Sequence, residues 1–273
     1  MIEDGSKRMV VKIFRYTGFE APHWDAFEIP VSRGMTVLDG LQWIKEQLDS
    51  TLAWRSSCRM GICGSCGMWI NGKPQLACQT QLSEIKSPVR IKPLPNFDII
   101  RDLVSDLSVM FAKHRDVKPW IIRRDARELE NPTNEYLQTA GEMERYAQFS
   151  YCIKCGLCMS ACPTLATDRH YLGPQPLAQA LRYLSDSRDE GFDERTNSPI
   201  EAYGPWRCHF AGECSLVCPK HVDPALGIQV MKRHFFLQSF GLKQSGPGAP
   251  LAPPVTEAAP RPGIPPAPER TVK

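Results

Sequence analysis

Eleven cysteines in a chain of 273 residues, and the intervals between them, carry the chemistry of this sequence. Cys58-x4-Cys63-x2-Cys66 is followed by a distant Cys78, the spacing that holds a plant-type [2Fe-2S] cluster. Gly61, Gly64 and Gly67 let the backbone wrap closely there and aim amide N–H groups at sulfur. Cys152-x2-Cys155-x2-Cys158-x3-Cys162-Pro163 is the bacterial ferredoxin run, whose fourth cysteine serves the other cluster of a pair. A second run keeps the same intervals, with Cys208, Cys214 and Cys218-Pro219, but Ala211 stands where its second cysteine would be. Exchange of the fourth cysteines assigns Cys152, Cys155, Cys158 and Cys218 to a [4Fe-4S] cluster. Cys162, Cys208 and Cys214 then form a site short of one ligand. Alanine has no donor atom, so a [3Fe-4S] cluster is the simplest occupant of that site. A [4Fe-4S] cluster with one iron open to substrate stays a second reading, and structural zinc a third. All eleven cysteines are used in the cluster assignment.

The elements that must position these loops fall into two groups. Residues 9–16 and 26–31 are β-branched and aromatic and predict a strand pair. Thr36 is a helix N-cap for 37–49, with Val37, Leu38, Leu41, Ile44 and Leu48 on one face. Asn71-Gly72 predicts a tight hairpin between GMWI and KPQL, which returns Cys78 to the cysteine loop. Residues 89–93 add another strand, so 1–96 reads as a small β-rich domain with one helix. From 97 to 243 the pattern turns helical, with helices expected over 98–114, 142–151, 174–187 and 223–240. The fold class is α+β. Residues 244–273 hold nine of the 24 prolines and few large apolar side chains, which predicts a disordered tail.

Composition excludes several functions. A net charge of +3 is too small for a nucleic-acid footprint. No apolar run approaches the ~20 residues of a membrane-spanning helix. MIEDGSKRMVVKIF lacks the apolar core of an export signal, so the thiols are expected in a reducing compartment, where disulfides are rare. There is no dinucleotide-binding glycine fingerprint, P-loop or nucleophile elbow. The run Arg123–Glu130 reads as a solvated, mixed-charge face. Cysteine-saturated irons and no other catalytic constellation point to electron transport.

This set of cysteines resembles that of the iron–sulfur subunit of succinate dehydrogenase and fumarate reductase. The resemblance extends over SCRMGICGSCGMWINGKPQLACQT (57–80), IIRDLVSDLS (99–108), YLGP (171–174), DSRDEG (186–191) and CPKHVDPA (218–225). It implies an N-terminal β-grasp domain followed by an α-helical bacterial-ferredoxin-like domain. It further implies a flavoprotein partner with covalent FAD, hydrophobic membrane-anchor subunits with or without haem, and a quinone. The site would be peripheral, on the cytoplasmic face of the bacterial plasma membrane. The family's quinone pocket maps onto Pro163, Thr164, His209, Ala211 and Lys232. Ubiquinone-reducing members carry an aromatic pair where this chain has Ala166 and Thr167. With CIKCGLC and CPKHVDPA, that absence leans toward fumarate-reductase-like, menaquinone-using members and leaves the direction of reaction open. A relay subunit of another flavin-linked oxidoreductase and a zinc-binding interaction module are the competing readings.

Overall fold

The structure, a computed structural model, describes residues 7–241; the 244–273 segment lies outside them. Strand β1 (Lys7–Arg15) pairs antiparallel with β2 (His23–Val31) along its whole length, from Lys7 opposite Val31 to Arg15 opposite His23. Helix α1 (Val37–Gln47) follows, then β3 (Gly67–Ile70), β4 (Lys73–Leu76) and β5 (Val89–Lys92). They form one mixed sheet in the order β2-β1-β5-β3-β4, with β1 and β5 parallel. Met9, Val11 and Ile13 alternate into the core while Val10 faces out, as the two-residue period of a strand requires. Val37, Leu38, Leu41 and Ile44 of α1 are buried, giving the β-grasp arrangement of a sheet holding one helix. Thr36 and Asp39 close a reciprocal capping box at its start. The helix stops at Gln47, so Leu48 lies past its end and is half exposed.

Two features depart from the sequence expectations because side chains capture the backbone. β2 begins three residues before the expected strand because its register with β1 continues to Arg15, whose guanidinium bonds Asp25 at 2.9 Å. The helix expected over 98–114 is only Ser108–Asp116. Before it, Ile99–Arg101 and Val104–Ser105 make a small hairpin. Asp102 turns that hairpin with φ 44° and is fully buried. Its carboxylate accepts from Arg15 Nε (3.2 Å), Tyr16 N (3.0 Å) and Ala53 N (2.9 Å). One carboxylate thus ties the hairpin to β1 and to the segment after α1, which outweighs the helical periodicity of 98–107.

Beyond Asp116 the chain is a set of short helices and loops. The helix expected over 142–151 is broken into Ala140–Glu144 and Ala147–Ser150. Tyr146 leaves helical backbone geometry between them, and its hydroxyl donates to Gln138. The third helix ends at Leu184, because the Asp186 carboxylate is taken by Arg188 and Gln138. The last runs from Pro224 to Ser239, capped by Asp223. The run Arg123–Glu130 is for the most part the solvated face expected of it, with Glu128 and Arg123 as the exceptions. Glu128 is buried and accepts from Thr133 and Asn134, and Arg123 lies over the Tyr136 ring while pairing with Glu190.

Replacing Asp102 with alanine takes the acceptor from one buried and two part-buried donors and is expected to lower the unfolding free energy by about 3 kcal/mol. Denaturant titration measures this, and a loss below about 1 kcal/mol would contradict the anchoring role.

Candidate metal centres

The first cysteine loop is built from backbone. Arg59, Gly61 and Gly64 have φ of 56°, 71° and 72°, a left-handed path that turns amides inward. Met60 N, Ile62 N and Cys63 N point at Cys58 Sγ from 3.4, 3.3 and 3.2 Å, and Cys58 N points at Cys63 Sγ from 3.4 Å. The Asn71-Gly72 turn, with both residues at positive φ, folds β4 back so that Ala77 N bonds Cys66 O at 3.0 Å. Cys78 follows directly. Cys66 and Cys78 are buried, and Cys63 is exposed. The Ser65 hydroxyl and the neighbouring backbone hold the Cys63 thiol down to about 6, whereas burial pushes Cys66 up to about 12. A ligand that needs all four as thiolates must therefore displace protons on binding.

The two later runs share one backbone. Lys154 (φ 53°) and Gly156 (φ 81°) precede a one-turn helix Leu157–Ser160 that carries Cys158. Phe210 (φ 57°) and Gly212 (φ 78°) precede an equivalent turn Glu213–Leu216 that carries Cys214. Ala211 occupies the place of Cys155 in this copy, so the loop is kept although its donor atom is gone. Burial, the largest cause, raises the Cys152, Cys155 and Cys158 thiols and takes Cys155 up to about 12, and the proximity of neighbouring sulfurs, Cys218 among them, adds to it. Cys162, Cys208 and Cys214 form the other mutually interacting set, with burial taking Cys214 up to about 11. Cys158 also senses Cys214, so the two sets adjoin. Asn96 donates to the carbonyls of Met159, Ser160 and Cys162 at 3.0, 3.2 and 3.0 Å. It fixes the chain between two candidate ligands.

The first loop also touches the second site. A Cβ on Gly64 would lie 2.7 Å from Cys155 Cβ, and one on Gly67 would lie 3.3 Å from Cys155 O. Only glycine permits this approach of one cysteine loop to the next.

Of the residues assigned to a quinone, Pro163, Thr164 and Ala211 line one cavity with Cys162, Cys208 and Cys214. Lys232 lies beside it, its ammonium donating to Cys208 O at 3.0 Å. His209 is exposed and is not part of that wall. Sequence reasoning assigned no role to three residues that the structure brings to the sulfurs. Gln175 reaches Cys152 and lies 3.2 Å from His114 Nδ1. Lys113 donates to Tyr171 O at 2.6 Å. Tyr171 is buried with its hydroxyl among Cys208, Cys162 and Cys214. The only sequence signal for Tyr171 was its place in YLGP.

The residues fit iron–sulfur clusters. Amides converge on sulfur in the first loop, and Phe210 N points at Cys208 Sγ from 3.4 Å in the last. Among the described residues the buried Tyr171 hydroxyl makes no hydrogen bond of normal geometry and interacts with the Cys208 sulfur, as a donor meant for a sulfide-rich occupant would. Zinc fits less well. Among the described residues no three His, Cys, Asp or Glu side chains converge on a single-ion site, whereas thiolates bound at ~2.3 Å to one zinc would crowd together.

Comparison with known proteins finds two cluster-binding domain families in this chain. Residues 10–112 match the 2Fe-2S iron–sulfur cluster binding domain, and residues 148–222 match the 4Fe-4S dicluster domain. The fumarate reductase iron–sulfur subunit of Mycobacterium tuberculosis is 50% identical over 228 residues, which span 82% of this chain and 92% of that protein. The succinate dehydrogenase iron–sulfur subunit of Paracoccus denitrificans is 39% identical over 216 residues, spanning 78% of this chain and 82% of that one. In a solved structure, a chain of the Mycobacterium smegmatis Sdh1 complex in the apo form superposes with a TM-score of 0.75 at 25% identity. That match covers 86% of this chain and 98% of the other. The chain belongs to the family of iron–sulfur subunits of fumarate reductase and succinate dehydrogenase.

Proposed function

We propose that this chain relays electrons between a FAD-bearing flavoprotein subunit, which interconverts succinate and fumarate, and a quinone held beside membrane-anchor subunits. The observation that carries the reading is the contact series of three thiol groups. It runs from exposed Cys63, through Gly64 packed on Cys155, to Cys158 beside Cys214. Clusters bound at these groups supply one-electron transfer. The chain's own part is to hold their thiolates, to keep the successive sites close and to exclude water from the inner ones. Cys58, Cys63, Cys66 and Cys78 would hold [2Fe-2S]. Cys152, Cys155, Cys158 and Cys218 would hold [4Fe-4S]. Cys162, Cys208 and Cys214 would hold [3Fe-4S], Ala211 leaving the fourth corner without a donor.

Both ends of the series carry exposed apolar side chains suited to docking. Met60 and Ile62 stand exposed in the first loop, the side proposed to meet the flavoprotein. Trp206, Phe210 and Leu216 stand exposed around the last cysteine run, the side proposed to meet the anchor. No helix among the described residues is long and apolar enough to cross a membrane, so attachment at the cytoplasmic face would come through that anchor. Pro163, Thr164 and Ala211 would wall the quinone site. His209, being exposed beside it, would hand over a proton, and Lys232 would offset negative charge on the reduced quinone. The similarity is greater to the fumarate reductase subunits than to the succinate dehydrogenase one, which supports a menaquinone partner.

Purification from native membranes is expected to recover a FAD-containing subunit and hydrophobic anchors with this chain, together with quinone-linked succinate oxidation. Recovery of the chain with a different flavoprotein and no such activity would favour another oxidoreductase. Ala211→Cys is expected to convert the three-iron site to [4Fe-4S] and abolish its EPR signal in the oxidised state; an unchanged signal would show the ligand assignment wrong. His209→Gln is expected to slow quinone-linked turnover about a hundredfold while electron delivery to a water-soluble dye stays intact. Equal loss of both rates would remove His209 from the quinone end.

A further inference from the structure

Tyr171 stands in the wall of the cavity shared by Cys162, Cys208, Cys214 and Ala211. The residue is 0% exposed, and among the described residues its hydroxyl makes no hydrogen bond of normal geometry, although it interacts with the Cys208 side chain. The groups that act on it most strongly after burial are the Cys208, Cys162 and Cys214 sulfurs. Thr164 and Glu213 also line the cavity, and neither bonds to it. A buried hydroxyl without a well-placed acceptor is unfavourable, so its position calls for an acceptor inside the cavity.

The backbone around Tyr171 is held from several sides. Its N–H donates to Asp168 O at 3.3 Å, and the following Leu172 N donates to Tyr203 O at 2.9 Å. The half-buried Lys113 ammonium binds both Tyr171 O (2.6 Å) and Arg169 O (2.7 Å). Pro174 then starts the Pro174–Leu184 helix. These bonds leave the ring little freedom to turn the hydroxyl elsewhere.

We propose that the Tyr171 hydroxyl donates a hydrogen bond to a sulfur of the group held by Cys162, Cys208 and Cys214, and thereby raises its reduction potential. The inference rests on the reading of that site as an iron–sulfur cluster. Reduction adds one electron to a sulfur-rich group and breaks no bond, and the proton stays on Tyr171. The added negative charge strengthens the hydrogen bond, so the donor favours the reduced form. Tyr171 is a tuning residue and touches neither quinone nor succinate in this account.

The test is a redox titration of the purified complex followed by low-temperature EPR. Tyr171→Phe removes the hydroxyl and keeps the ring. It is expected to shift the reduction equilibrium of the three-iron site about tenfold toward the oxidised form, which is about 59 mV lower for one electron. The midpoints of the other two clusters and the iron content should stay unchanged, which a merely structural role would not guarantee. An unchanged three-iron midpoint at full iron content overturns the inference. If the phenylalanine variant loses iron, 3-fluorotyrosine placed at 171 preserves the shape and makes the hydroxyl a stronger donor. Its midpoint must then rise, and no rise overturns the inference. Absence of a three-iron signal from the wild-type complex removes the cluster reading itself, a different failure from an unmoved potential.

Discussion

Gathering seven thiols into one poorly hydrated region is the constraint on which the second half of the molecule depends. Burial drives Cys152, Cys155, Cys158, Cys162 and Cys214 toward the neutral form, Cys155 up to about 12. Proximity of the other sulfurs adds to it. Such a set gains little from being a set of thiols. It becomes favourable when iron draws off the protons and neutralises the sulfur charge. The short helices around it are accordingly irregular. Leu157–Ser160 and Glu213–Leu216 are single turns, each too short to persist alone. Each is fixed by the left-handed residues before it and by the packing around it.

The duplicated run also explains why a missing ligand leaves the fold intact. Phe210 and Gly212 repeat the left-handed conformations of Lys154 and Gly156, so the loop around Ala211 keeps the path of the loop around Cys155. A position can therefore lose its donor while its neighbours keep theirs. The same separation of roles holds in the first loop, where amide groups surround Cys58 Sγ before any iron is considered. Asn96 and Gly64 join the first cysteine loop's sheet to the Cys152–Cys162 run through three carbonyl hydrogen bonds and one glycine-only contact. The distance between neighbouring sites is thus set by the protein, which matters for a relay more than the identity of any single surface residue.

The cysteine grouping was legible in the sequence because ligand spacing is a local property. The sheet was legible too, since Met9, Val11 and Ile13 alternate and Asn71-Gly72 marks its turn. Residues 98–107 misled because their apolar spacing fits a helix. What decides their structure is one buried carboxylate, Asp102, whose partners Arg15 and Ala53 are far away in sequence. The mixed-charge run at Arg123–Glu130 is mostly exposed as expected, and Glu128 is its buried exception because it finds local amide donors that periodicity does not register. Tyr171 and Lys113 escaped notice as site residues because only the fold brings them to the sulfurs. Of the assigned quinone residues, three line the cavity, Lys232 is tied to its rim, and His209 stands outside its wall.

The central claim is that twelve ligand positions, one vacated at Ala211, hold three clusters of different nuclearity. Iron and acid-labile sulfide analysis of the purified complex, read together with low-temperature EPR of its oxidised and reduced states, tests it most directly. The account predicts iron and sulfide in the proportions of one two-iron, one four-iron and one three-iron cluster, with the three-iron signal present in the oxidised protein. Zinc without sulfide, or two four-iron clusters and no three-iron signal, would contradict it.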